Sequence, residues 1–171
     1  ANLAGRIREN IKQRNPEVCL LLRHNPDVIM HEVNNAVDRA LPLWPYWAGE
    51  AAREARTAFP EKPMVINAVM FLDIPYRFTA ETPGLVGLHI AQNMSQGVNL
   101  WAYVLGTTEQ PDRKNYEIVR KMLNFHRTHE AYYAGMHSAA STLVISSLRS
   151  EEMYGREEGA DRVQKERRGV F

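Results

Sequence analysis

The sequence predicts an α/β fold in which a parallel sheet is wound with right-handed crossovers. Two observations predict it. Short continuous apolar runs alternate with amphipathic helical periods along most of the 171 residues, and Pro or Gly punctuates nearly every junction between them. The composition suits such a fold: 44% of the residues are hydrophobic and 24% charged, enough to close a core. With 21 Lys and Arg against 20 Asp and Glu, mixed in sign along the chain, nucleic acid and anionic membrane have no electrostatic support as partners. No apolar run approaches the ~20 residues that span a bilayer. A single cysteine, Cys19, permits no internal disulfide, which is compatible with a soluble protein of a reducing, cytoplasmic compartment.

Leu3, Ile7 and Ile11 recur at intervals of four among charged residues and predict an amphipathic helix to about Arg14, ended by Asn15-Pro16. The apolar run 18–22 reads as a strand buried on both faces, with Cys19 inside it as a small hydrophobe. After the turn Asn25-Pro26-Asp27, a second strand over 28–30 delivers His31 and Glu32 at its carboxyl end. Trp47, Ala51, Ala55 and Phe59 share one face of a helix over 44–59, which Pro60 and Pro63 close. The third strand covers 64–72 and leads to Asp73 and the Ile74-Pro75 break. Thr82 as N-cap, Pro83 at the first helical position and Gly97 past the end frame a helix over 83–96. A fourth strand follows over 98–105, then the loop 106–111, then a long helix over 112–133 stopped by Gly135.

Beyond Gly135 the pattern restarts, with a strand over 142–146 and a charged helix-like segment from about 150, so a boundary is expected near 135–141. The chain starts at Ala1 without an initiator Met and ends at Phe171 inside a charged run. Both ends read as cut, and if these units belong to a (β/α)8 barrel, which needs roughly 200–250 residues or more, the chain holds only part of one.

In parallel α/β folds the reactive groups gather at the carboxyl ends of the strands, where the strand-to-helix loops converge. Glu32, Asp73 and Glu109 occupy such positions. Glu32, flanked by His31 and Asn34, is the foremost candidate for acid–base or nucleophilic work and reads equally as a satisfied structural carboxylate; Asp73 is second, though it is more simply the cap of its turn, and Glu109 is more simply solvated loop. Aromatic residues cluster in the same loops: Trp44, Tyr46 and Trp47, then Tyr76 and Phe78, then Trp101 and Tyr103. Sugar rings pack their C–H faces on aromatic rings, and their hydroxyls need partners such as His31, Asn34, Arg77 and Glu109. Trp44 and Trp101 are the candidate platforms, and Trp47, at helical spacing, is expected in the core. The pair His126 and His129 lacks a third ligand and the spacing of a zinc motif, so a solvated helix face is expected there and no metal. No phosphate-cradling glycine loop, nucleophile elbow or Cys-x-x-Cys is present, and no cofactor is expected.

The block Val28-Ile-Met-His-Glu32, the helix start Leu41-Pro-Leu-Trp44, the strand Pro63-Met-Val-Ile66, the helix end Asn93-Met-Ser-Gln-Gly97 and the helix end Tyr132-Tyr-Ala-Gly135 resemble the last part of the catalytic barrel of glycosyl hydrolases. In that family a (β/α)8 barrel is followed by a domain like the trimerisation domain of β-galactosidases, with a flavodoxin-like sheet. Ser141-Thr-Leu-Val-Ile-Ser-Ser147, Tyr154-Gly155 and the closing Arg167-Arg-Gly-Val-Phe171 are similar to the first strand and helix of that domain. The resemblance implies that residues 1–135 are the C-terminal portion of a (β/α)8 TIM barrel and that 141–171 open a flavodoxin-like domain. It further implies a carbohydrate substrate, carboxylate acid/base chemistry centred on Glu32, a second carboxylate from an earlier strand, and a homo-oligomer for the full-length parent. The piece alone would then be inactive. A non-catalytic module that binds saccharide or serves assembly is the alternative.

Overall fold

Three of the expected apolar runs pair into one parallel sheet in the computed structural model, which describes residues 3–21, 26–32, 45–145, 147 and 153. The chain divides into two compact units, Ala1–His137 and Ser138–Phe171. In the first, the order of elements is α1 (Leu3–Arg14), β1 (Ile29–Glu32), α2 (Trp47–Ala58), β2 (Met64–Val69), α3 (Pro83–Ser95), β3 (Asn99–Tyr103), α4 (Tyr116–Thr128) and α5 (Glu130–Tyr133). The strands lie in the order β1-β2-β3, so each crossover steps to the next position in the same direction.

Strand alternation divides the side chains between two faces. Met64, Ile66 and Val98 pack against Ala48 and Ala52 of α2, with Ile29 and Trp47 at the margin of that cluster. Ala68 and Met70 pack against Val86, Ile90 and Met94 of α3, joined by Leu100, Ala102 and Val119. The even-numbered residues of β2 and β3 therefore all face the helices, and α2 and α3 cover the same face. Each fully buried aliphatic here, such as Ile66 or Ile90, contributes about 1.5–3 kcal/mol. A second link joins helix to sheet, since buried Asn93 of α3 donates from Nδ2 to the Ile66 carbonyl at 2.8 Å.

α3 starts at Pro83 after Thr82, which holds the N-cap position without a side-chain capping hydrogen bond, and Gly97 beyond its end has φ +64°, a conformation that favours glycine. Arg56 of α2 donates to the carbonyls of Gly97 (3.3 Å) and Met136 (2.9 Å), tying α2 to both the end of α3 and the stretch after α5.

Three elements differ from expectation. Residues 18–21 form no strand, and Cys19 is exposed rather than buried. Their backbone groups are met locally: Lys12 Nζ reaches the Val18 carbonyl at 2.7 Å, and Leu20 exchanges bonds with Asp27, N–H to Oδ2 at 3.0 Å and carbonyl to N–H at 2.8 Å. Asp27 also holds Arg8 and Lys12 in ion pairs, the latter at 3.0 Å. These two cations hold its carboxyl well below the usual carboxylate range. The clamp matters for α1, which buries none of its residues and leaves Leu3 and Ile7 exposed. The long helix expected over 112–133 begins only at Tyr116, because Asp112 is used in a loop, accepting the N–H groups of Ala80 (3.0 Å) and Lys114 (3.3 Å). It breaks at His129, whose φ of −113° is not helical, to leave the short α5.

In the second unit, residues 142–145 form no strand, and Leu143 and Ile145 are exposed. A strand needs a neighbour for its N–H and C=O groups, and the described residues of this unit supply none. The helix expected from about residue 150 lies outside the described residues, apart from Met153, which is helical.

Candidate functional site

The face of the sheet turned away from α2 and α3 carries the odd-numbered residues of β2 and β3. The register pairs Glu32 with Asn67 and Asn67 with Trp101, so these three stand side by side across the three strands. With neighbouring strands ~4.8 Å apart, the backbones of Glu32 and Trp101 are separated by roughly 10 Å. Val69 and Tyr103 form the next row toward the carboxyl ends. The Tyr103 ring meets Trp101 edge-on at 6.4 Å and Phe71 edge-on at 5.4 Å, which makes an aromatic line along the edge of this face. Glu32 is exposed, Trp101 is 40% exposed and Asn67 is buried. A solvated carboxylate and an exposed planar indole on one face can exchange a proton and stack on an apolar ring face.

His31 precedes Glu32 in the strand and therefore points to the opposite face, in register with Ile66. The two are neighbours in sequence but do not share a surface. Asn34 and Trp44 lie outside the described residues.

Asp73 is not in the Glu32 row. Beyond β2 the chain makes a hairpin: Phe71 bridges Ala80 antiparallel, Leu72 N–H donates to Thr79 O at 2.9 Å, and Glu81 N–H donates to Met70 O at 2.9 Å. Asp73 opens the turn of this hairpin, its Oδ1 accepting the Ile74 N–H at 2.6 Å and its carbonyl accepting the Tyr76 N–H at 2.9 Å. Arg77, also on the hairpin, lies over the Phe78 ring at 4.9 Å. Glu109 is exposed on the loop after β3, and its neighbour Gln110 is the buried one.

Other candidates resolve into packing. Trp47 packs against the α2 core cluster. His89 is buried in α3. His126 stacks on Tyr133 at 4.9 Å and His129 tilts against Phe125 at 4.6 Å; among the described residues no group of three or more His, Cys, Asp or Glu is placed to hold a metal. No described helix is long and apolar enough to cross a membrane.

Four polar residues at the strand ends are not singled out by sequence reasoning: Asn67, Gln110, Asp112 and Asn115. Asn67 carries a legible signal, being the lone polar residue within the apolar run 64–72. Asn115 and Gln110 carry none, because their burial depends on how α4 and the hairpin come together. No protein-family model, curated protein or solved structure matches the chain.

Proposed function

We propose that the chain is part of a glycoside hydrolase of the (β/α)8-barrel type and that the sheet face bearing Glu32 handles saccharide. The observation that carries this reading is the row Glu32, Asn67, Trp101, in which an exposed carboxylate and an exposed indole flank a buried amide on one face of the sheet. Parallel strands in sequential order with α2 and α3 on one face support the barrel part of the reading, since doubly wound sheets carry helices on both. Barrel glycosidases use two carboxyl groups ~5–9.5 Å apart, one protonating the leaving oxygen and the other acting as nucleophile or base. Glu32 takes one of these roles, Asp73 is the second candidate in this chain, and a carboxylate from elsewhere in a longer parent completes the pair. Trp101 stacks on a sugar ring, and buried Asn67 stands between it and Glu32 in the register.

The test is Glu32→Gln in the full-length protein against a panel of aryl glycosides. Turnover is expected to fall by about 10²–10⁴-fold with an unchanged fold, as for loss of a general acid or base. Near-normal turnover removes Glu32 from the chemistry.

One observation favours a second reading, a non-catalytic saccharide-binding or assembly module: the Asp73 carboxylate is engaged by its own turn rather than standing beside Glu32. Calorimetry that shows glycan binding without product release selects this reading over the first.

A further inference from the structure

The polar groups that the Glu32 row does not use converge on a crevice at the carboxyl ends of β2 and β3, under the 71–80 hairpin. Its volume is about 10 Å³, room for one group the size of a water molecule. Asn115, 1% exposed, forms part of the wall. Its Nδ2 donates to the Met70 carbonyl at 2.8 Å, which sets the orientation of the amide. Its Oδ1 is then buried with no hydrogen-bond donor among the described residues. Gln110, 7% exposed, spends its Nε2 on the carbonyls of Leu105 and Thr107, which fixes its amide in the wall. The Asp112 carboxylate also lines the crevice, its oxygens already met by the N–H groups of Ala80 (3.0 Å) and Lys114 (3.3 Å) and by Lys114 Nζ (3.4 Å), and the Ala80 N–H above all holds its carboxyl below the usual range. Exposed Arg77 stands in the same wall, with the rings of Phe78 and Tyr116 beside it.

One buried acceptor without a donor selects a single donor group, and the Asp112 carboxylate beside it disfavours an anion. The guanidinium of Arg77 disfavours a metal ion or ammonium group. The size admits a single oxygen, so the group that fits is a hydroxyl whose parent molecule stays outside, against the aromatic rings. Resting on the saccharide reading of the Glu32 face, we infer that this crevice is a subsite that takes one hydroxyl of an oligosaccharide. Phe71 lines it and, through Tyr103 and Trp101, closes an aromatic line back to the Glu32 row. Along the extended chain, Phe71 lies ~13 Å from Asn67, more than one sugar ring covers. A ligand that reaches from one place to the other is therefore an oligosaccharide rather than a single sugar.

The test is an NMR titration of the full chain with glycerol and, separately, glucose, following the side-chain amide signals of Asn115 and Gln110 and the Val104 methyls. Both probes are expected to shift these signals saturably. Val104→Ile adds a methylene to the crevice wall without touching a polar group, and should weaken both probes about tenfold. Arg77→Ala, at an exposed position, gives an independent check should Val104→Ile fold poorly, and should weaken binding about threefold to tenfold. Shifts that stay linear in probe concentration, or saturation that is the same in the folded variants, overturn the subsite and leave the crevice a place for one resident water. The outcome separates from that of the catalytic reading. Saturable shifts in a protein whose Glu32→Gln variant keeps full turnover sink the role of Glu32 alone, whereas a silent crevice in a protein that loses turnover with Glu32→Gln sinks the subsite alone.

Discussion

Gly87 in α3 gives a sharp test of how closely α3 and α4 approach, and hence of where Asn115 and Tyr116 are held at the start of α4. A Cβ built at Gly87 would stand 2.9 Å from Ile118 Cγ1 and 3.2 Å from its Cδ1. Cγ1 sits next to the branch point of a helical isoleucine, whose χ1 has essentially one favoured rotamer, so the side chain cannot simply swing away. The helices must part instead. Gly→Ala in a helix interior is worth about 0.8–1.0 kcal/mol by propensity, and forcing an extra methyl into a close contact costs about 1–3 kcal/mol. Gly87→Ala is therefore expected to lose about 1 kcal/mol net. Gly84, three residues earlier in the same helix, has nothing within 4 Å of its would-be Cβ, so Gly84→Ala should gain about 0.4–1 kcal/mol. Urea unfolding of both variants and of the parent measures the contrast. In an Ile118→Ala background the clash is gone, and Gly87→Ala should then stabilise by about the propensity term, a coupling that a double-mutant cycle reads directly. Equal stabilisation by Gly84→Ala and Gly87→Ala in the parent would refute the close approach of α3 and α4.

Two further outcomes follow from the first unit. The Asp27 carboxyl is held low in the folded state by Arg8 and Lys12, so its stabilisation of α1 is fully present above the unfolded value of about 4 and is lost as pH falls below it. NMR shifts of α1 residues should move toward coil values on acidification, and Asp27→Asn should show that state at neutral pH; α1 shifts in Asp27→Asn identical to the parent's would dismiss the clamp. Ile90→Ala, at a position 1% exposed between β2 and α4, should cost about 2–5 kcal/mol in urea unfolding, with an effect under 1 kcal/mol pointing to a loose α3.

The candidate site is only half legible in the residues themselves. Glu32 and Trp101 stand out as an acid and an aromatic near strand ends, but they are 69 positions apart, and only register makes them neighbours. His31 looks like a partner for Glu32 in sequence, and strand alternation sends it to the other face. Asp73 also sits at a strand end, yet the continuation of β2 into a hairpin carries it past the row.

Local patterning determined the elements whose apolar period has a partner nearby. The four-residue recurrence, the Thr82-Pro83 start and the Gly97 stop each act over one or two turns, and β2, α3 and β3 follow from them with ends within a few residues of expectation. The runs 18–22 and 142–146 also carry consecutive apolar residues, yet 18–21 and 142–145 form no strand. A strand exists only where another strand accepts its hydrogen bonds, and that is a property of the tertiary structure. The same holds for the crevice: the amide at 115 reads as an ordinary cap until the hairpin closes over it and leaves its oxygen buried with no donor among the described residues.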